Sequence, residues 1–193
     1  MKQIVLSDLM NILEYEKVRN EYRQDIMNYK KNRRISLGPN ITITFENRKT
    51  MKFQIQEMMR AERMVHDHQI QEEVDVYNSL LPNEKELSAT LFIEITEEEK
   101  IRTLLNTFLG LTDSETIGFE FGDHKIFAQF EEGREEEDKI SSVHYIHFKF
   151  SDADINAFND LSINATFSIH YNNYQFTEPL TEKMRNSLIN DIL

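Results

Sequence analysis

Apolar residues recur at three- and four-residue steps from Leu13 to Asn32, with Tyr15, Val18, Tyr22, Ile26 and Tyr29 along one line. That period predicts a long helix. Ser7 ahead of Asp8-Leu9-Met10 predicts an N-cap and a short helical turn before it. Gly38-Pro39 closes the region, and Ile41-Thr-Ile-Thr-Phe45 then alternates apolar with polar, the mark of a half-buried strand. After a turn at Asn47-Arg-Lys-Thr50 the helical period returns over Phe53 to Val65. It pauses at His66-Asp67-His68, resumes from Gln69 to Leu81 and stops at Pro82.

Beyond Pro82 the texture changes. Ala89 to Ile95 predicts a strand, and Thr96-Glu-Glu-Glu99 reads as a capping box opening a helix to Leu109, ended by Gly110. Thr116 to Phe121 and Lys125 to Phe130 flank Gly122-Asp123-His124 and predict a hairpin. Residues 131–139 are dominated by acids and predict a solvated loop. Ser142 to Phe150 is a further strand, Asp152 to Asn159 a short helix, 165–171 with 174–177 a last hairpin, and 181–192 a closing helix. Long helices early and closely spaced strands late predict an α+β fold. Its sheet is antiparallel or mixed, of about six strands mostly from the C-terminal half, packed with the long N-terminal helices. The 193 residues predict a single domain with a subdomain seam near 82–88.

Composition narrows the chemistry. Thirteen Phe and seven Tyr within a 39% hydrophobic chain supply a core. The absence of Cys removes disulfides, thiolate zinc sites, cysteine-ligated iron–sulfur clusters and thiol nucleophiles. Five glycines and no phosphate-cradling loop argue against a nucleotide cofactor, and no cofactor is expected. There is no nucleophile elbow and no nucleic-acid module signature. The start, MKQIVLSDLM, turns polar too soon for a secretory signal, and no run of about 18 apolar residues could span a bilayer. The expected location is cytoplasmic, with no membrane partner.

Charge is uneven. Seven basic residues between Lys17 and Arg34, against Glu21 and Asp25, give a local +5, which leaves −17 on the rest of a chain whose total is −12. One basic helix on an acidic body could contact nucleic acid weakly, but the excess is small beside a nucleic-acid footprint. The preferred reading is that these cations neutralise acids of the same fold.

The most concentrated polar stretch is QIQEMMRAERMVHDH, residues 54–68. If 53–66 is one continuous helix, Ile55, Met58, Met59, Ala61 and Val65 form an apolar arc roughly 80–240° from Phe53, and Glu62 falls inside it at about 180°. His66 lies one turn on. The next helix repeats the pattern, with Glu73 near the middle of the arc of Val74, Val76, Tyr77, Leu80 and Leu81. A carboxylate buried without a partner is costly, so such groups are paired, protonated or ligating. Three readings compete. Glu62 and Glu73 accept salt bridges from Arg19, Arg23, Arg33 or Arg34; or they line a small-molecule or acid–base pocket; or Glu62, His66 and Glu73 hold a divalent metal. The metal pattern is weak, because His66 and His68 diverge on a helix and the Glu-x-x-His spacing of di-iron bundles is absent. On the strand after Ser142, His144 shares its face with Ile146, Phe148 and Phe150, predicting a core histidine bonded to a backbone carbonyl, while His147 points the other way.

Further residues carry a resemblance. Lys30-Lys-Asn-Arg33-Arg34-Ile-Ser-Leu-Gly38-Pro39, Phe45-Glu46, Gln54-Ile-Gln-Glu57-Met-Met-Arg60-Ala-Glu62-Arg63, Glu73-Val-Asp-Val-Tyr77-Asn78-Ser-Leu-Leu-Pro82 and Ser142-Val-His144-Tyr145 resemble an uncharacterised bacterial family of about this length. Its Gln-Ile-Gln-Glu-Met-x-Arg-x-Glu-Arg motif includes Gln54, Gln56, Glu57, Arg60 and Glu62 but neither His66 nor His68. The resemblance implies genes near those of rubrerythrin-like and iron–sulfur oxidoreductase proteins, and no established catalytic residues. The ranking that follows places first a non-catalytic accessory or binding protein with a protein partner, associated with iron–sulfur or peroxide-related redox systems. The alternative is a small enzyme or ligand-binding protein with a Glu/Arg pocket built from Arg34, Gln54, Gln56, Glu57, Arg60, Glu62, Glu73, Tyr77, Asn78 and His144, in which Glu62 is the base and Arg60 or Arg34 the anion clamp. Weak nucleic-acid contact through the basic helix comes third. Whether the chain is an enzyme, and its oligomeric state, are left open at this stage.

Overall fold

The computed structural model describes residues 1–113, 115–131, 135–136 (backbone only) and 139–193. The acidic loop expected at 131–139 lies for the most part outside the described residues. A 3₁₀ turn at Leu6–Asp8 precedes α1 (Ile12–Lys30), the hairpin β1 (Arg34–Leu37) and β2 (Ile41–Glu46), α2 (Arg48–Ala61), α3 (Asp67–Ser79) and β3 (Glu86–Ile93). There follow α4 (Ile101–Asn106), the hairpin β4 (Ile117–Phe121) and β5 (His124–Phe127), the short strands β6 (Gln129–Phe130), β7 (Glu135–Glu136) and β8 (Lys139–Ile140), and β9 (Val143–Lys149). The chain closes with α5 (Asp152–Asn159), β10 (Ala165–Tyr171), β11 (Tyr174–Pro179) and α6 (Glu182–Ile192). The fold is α+β. Among the described residues the strands form not one sheet but two larger antiparallel ones, ordered β1-β2-β3-β9-β6 and β11-β10-β4-β5, with β7 and β8 paired separately. No helix among the described residues is long and apolar enough to cross a membrane.

The two sheets share one core. Ile41, Ile43 and Phe45 of β2, Leu87, Ala89 and Leu91 of β3, and Ile146 and Phe148 of β9 face Ile117, Phe119 and Phe121 of β4 and Phe167 and Ile169 of β10. Phe119 sits at its centre, with ring centroids 5.5 Å from Phe45, 5.0 Å from Phe148 and 4.7 Å from Phe167. Phe158 of α5 and Leu188, Ile189 and Ile192 of α6 complete the same core. A second cluster, Ile4, Met51, Ile55, Met59, Ile70 and Val74, packs α2 and α3 on the N-terminal segment.

The first hairpin was not legible as such. Gly38 turns it with φ of 69°, and the Phe176 ring lies 2.4 Å from where a Cβ would stand, so only glycine suits both demands. The Tyr174 hydroxyl accepts from the Asn40 and Ile41 amides at 2.9 and 3.2 Å and donates to the Leu37 carbonyl, fastening the hairpin to the second sheet. Ahead of β1, Arg33 is fully buried. It donates to the Phe45 carbonyl (2.9 Å), to the Ser187 carbonyl and hydroxyl (3.0 and 3.1 Å), and to Asp191 of α6.

Helix boundaries decide several expectations. Asn47, expected in a turn, is the N-cap of α2: its side chain accepts from the Lys49 and Thr50 amides, and Thr50 answers to the Asn47 amide. The helix therefore starts earlier than expected and ends at Ala61, where Arg63 takes a left-handed φ of 53°. The expected capping box at Thr96–Glu99 does not form; a 3₁₀ turn at Glu98–Lys100 leads into the shorter α4 instead. β2, expected to be half-buried, is buried on both faces.

Candidate functional site

The second face of the larger sheet explains why β2 is buried on both sides. Alternation that turns Ile41, Ile43 and Phe45 to the core turns Thr42, Thr44 and Glu46 the other way, under α1 and α2. The register aligns these residues in rows. Arg34 pairs with Thr44, Thr44 with Thr90 and Thr90 with Tyr145; Thr42 pairs with Phe92 and Phe92 with Val143; Glu46 pairs with Ser88 and Ser88 with His147. A strand face this polar normally meets water, yet Thr42, Thr44, Glu46, Ser88 and Thr90 are all buried.

Part of that layer is hollow. A cavity of about 720 Å³ has Thr44, Glu46, Thr90, Phe92, Val143 and Tyr145 as its floor. Gln24, Met27, Lys30 and Lys31 of α1 and Gln54 of α2 wall it, and Arg34 and Glu94 stand at the sheet edge. Arg34 and Glu94 pair at 2.9 Å, and both are about half exposed, so they mark the mouth. Glu46 marks the inner end. It is 2% exposed, and its Oε1 accepts from Gln54 Nε2 (3.2 Å), Lys30 Nζ (3.4 Å) and Thr90 Oγ1 (3.5 Å). Its Oε2 meets no hydrogen-bond partner among the described residues.

The expected site residues are divided by this geometry. Arg34 and Gln54 line the cavity. Gln56 and Asn78 do something different: each grips the N-terminal segment through both ends of its amide. Gln56 accepts from the Met10 amide at 2.7 Å and donates to the Met10 carbonyl at 3.0 Å; Asn78 does the same to Ile4, at 2.9 Å each way. Glu57 holds α1, accepting two bonds from the Arg19 guanidinium and one from the Tyr15 hydroxyl, all at 2.7 Å. Arg60 pairs with Glu16 at the surface. Tyr77 is half-buried, and its hydroxyl is pushed up by burial and by the negative charge of Glu73 nearby, with Tyr145 and Glu46 adding less. His144 is buried in the core, its Nε2 2.8 Å from the Ser141 carbonyl oxygen, the carbonyl-bonded arrangement that its strand face implies.

Glu62 is a correction. It lies one residue past the end of α2, exposed, so its place on a continued helical wheel has no physical counterpart; Val65, from the same extrapolated arc, is 67% exposed. Glu73 is half-buried rather than central. His66 and His68 stack on each other at the start of α3, and among the described residues no three His, Asp or Glu side chains converge as a metal site. Three of the four arginines expected to meet Glu62 and Glu73 are paired elsewhere: Arg19 with Glu57, Arg33 with Asp191 and Arg34 with Glu94.

What was missed is the floor. Thr44, Glu46, Thr90 and Tyr145 sit on strands whose alternation was legible, but alternation alone says that a polar face exists, not that helices roof it. The available signal was hydroxyl-rich alternation, Thr42-Thr44-Glu46 with Ser88-Thr90, next to two amphipathic helices in sequence.

Glu57 gives a pH prediction. The Arg19 guanidinium holds its carboxyl below the ordinary glutamate range against the opposing effect of burial, with the Tyr15 hydroxyl assisting. A folded-state value below the unfolded one contributes stability that is present at neutral pH and lost as pH falls through the lowered value. Urea midpoints from pH 7 down to pH 3 are expected to drop for the wild type. Glu57→Gln should cost about 1 kcal/mol at pH 7, the pair being partly solvent-screened, and should flatten the acid limb. Parallel wild-type and variant curves would remove this role.

Two comparisons bear on the chain as a whole. The family model described as "Protein of unknown function (DUF3501)" matches residues 3–192. A crystal structure of a novel protein of unknown function from Burkholderia pseudomallei is similar over 100% of both chains, with a TM-score of 0.90 and 26% sequence identity. No curated protein matches.

Proposed function

Since the chain belongs to the DUF3501 family, described as a protein of unknown function, its role has to be read from its own cavity, and we propose that it is a binding protein for a small organic anion. The observation that carries this is the roofed polar face: about 720 Å³ of space, within the range of small-molecule sites, floored by buried hydroxyls and a buried carboxylate. Lys30, Lys31 and Arg34 give it cations where α1 meets the sheet edge, and Met27, Phe92 and Val143 give it apolar surface for a carbon skeleton. Binding rather than turnover is favoured because the expected base, Glu62, stands exposed and outside the cavity, while Arg34 and Glu46 already have partners that hold them in place.

Thermal denaturation against a library of small carboxylates and phosphates tests this. A ligand at about 100 times its Kd adds roughly 2.7 kcal/mol, which for a chain of this size raises the melting temperature by about 5–10 °C. Val143→Trp, which fills the floor, should abolish the shift. A library that leaves wild type and variant equally unmoved overturns the reading.

The redox-accessory role implied by the resemblance concerns a protein partner and is a separate proposal, tested by pull-down from the native host. Nucleic-acid contact through the basic segment from Lys17 to Arg34 draws less support, because Arg19, Lys30, Arg33 and Arg34 each meet a carboxylate of the same chain.

A further inference from the structure

We propose that the inner end of this cavity reads a hydroxyl group, so that its occupant is a hydroxylated organic anion whose hydroxyl donates to Glu46 Oε2 while its carboxylate or phosphate is held by Lys31. The inference rests on the cavity being a ligand site and adds what the site selects.

The donors around Glu46 are arranged on one side. Lys30, Gln54 and Thr90 all reach Oε1, whereas Oε2 is buried and receives nothing from the described residues. An ionised carboxylate can only accept, so the group that completes this one must donate. Ser88, the cross-strand neighbour of Glu46, also has a buried hydroxyl oxygen without a partner among the described residues, so the unmet polarity continues inward.

A hydroxyl suits Glu46 better than an ammonium because of the charges already present. Lys30 lies against the carboxylate, and a second cation beside it would be repelled. Arg34 is balanced by Glu94 at the mouth. That leaves Lys31, which lines the cavity and donates to the neutral Asn28 side chain, as the cation with charge to spare. The cavity therefore calls for one net negative charge on the α1 side and an uncharged donor at the Glu46 end.

Isothermal titration of the full chain with four probes decides the matter: ribose 5-phosphate and gluconate, and their hydroxyl-free counterparts butyl phosphate and hexanoate. At least one hydroxylated probe is expected to bind tenfold or more tighter than its counterpart, and the phosphate and carboxylate arms show which anion the mouth prefers. Glu46→Gln should weaken the hydroxylated probe fivefold or more and leave the hydroxyl-free one within twofold. Should that variant fail to fold, the wild-type comparison alone still decides. If butyl phosphate or hexanoate binds as tightly as its hydroxylated partner, and Val143→Trp abolishes both, the hydroxyl preference falls and the binding role stands. If no probe binds the wild type, both fall.

Discussion

Phe119→Ala is expected to destabilise the protein by about 3–5 kcal/mol, the range for removing a fully buried aromatic ring. The position concentrates the cost. Phe119 belongs to β4 in one sheet, and its ring packs on Phe45 and Phe148 of the other, on Phe167 beside it, and on Phe158 of α5 at 5.5 Å. Cavity terms depend on how far the surroundings can collapse, and here those surroundings are rings held on paired strands, which relax little. The melting temperature should fall by roughly 10 °C or more for a chain of this size. Phe119→Leu, which keeps most of the volume, should cost markedly less. A loss below about 1 kcal/mol for the alanine variant, by urea titration, would mean that the two sheets do not share this core.

Arg33→Met is expected to cost about 3–5 kcal/mol through a different mechanism. Removing the guanidinium leaves the Phe45 and Ser187 carbonyls without their donor and Asp191 without its cation, in a place where water reaches little of any of them. The comparison is Arg60→Met. The Arg60–Glu16 pair is more than a third exposed on both sides, and its loss should stay within about 1 kcal/mol. The double variant Arg33→Met with Asp191→Asn should recover part of the single variant's loss, since the uncompensated carboxylate is then gone. Equal denaturation midpoints for the Arg33 and Arg60 variants would contradict the assigned burial.

How much of this was legible follows the range of the forces involved. α5 begins where its sequence says, because Ser151 and Asp154 form a local capping box. The Gly122-Asp123 hairpin is equally local. The division into two sheets was not readable, because antiparallel alternation fixes which face a residue takes and not which strand lies beside it. The site was misread for a sharper reason. The helical wheel placed Glu62 inside on the assumption that α2 continues, but Asn47 moves the start of the helix forward and Arg63 ends it, so the polar groups that matter on α2 are Gln54, Gln56 and Glu57. Those three were named from the sequence, yet they serve three purposes: the cavity, the N-terminal segment and α1. Glu46, at the inner end of the candidate site, lay one residue past the strand read over Ile41 to Phe45 and entered only beside Phe45 in the resemblance; its burial comes from helices that only the tertiary fold brings over it.

The partnership of Arg33 with Asp191, 158 positions apart, sets an order on biosynthesis. A ribosome delivers the first hairpin long before the carboxylate that will neutralise the cation beside it, and the tunnel withholds that carboxylate further still. Until then the guanidinium has water for company and the hairpin has no reason to bury it. The nascent chain should therefore stay open on this side, vulnerable to proteases and attractive to chaperones, and lock only after translation has passed α6.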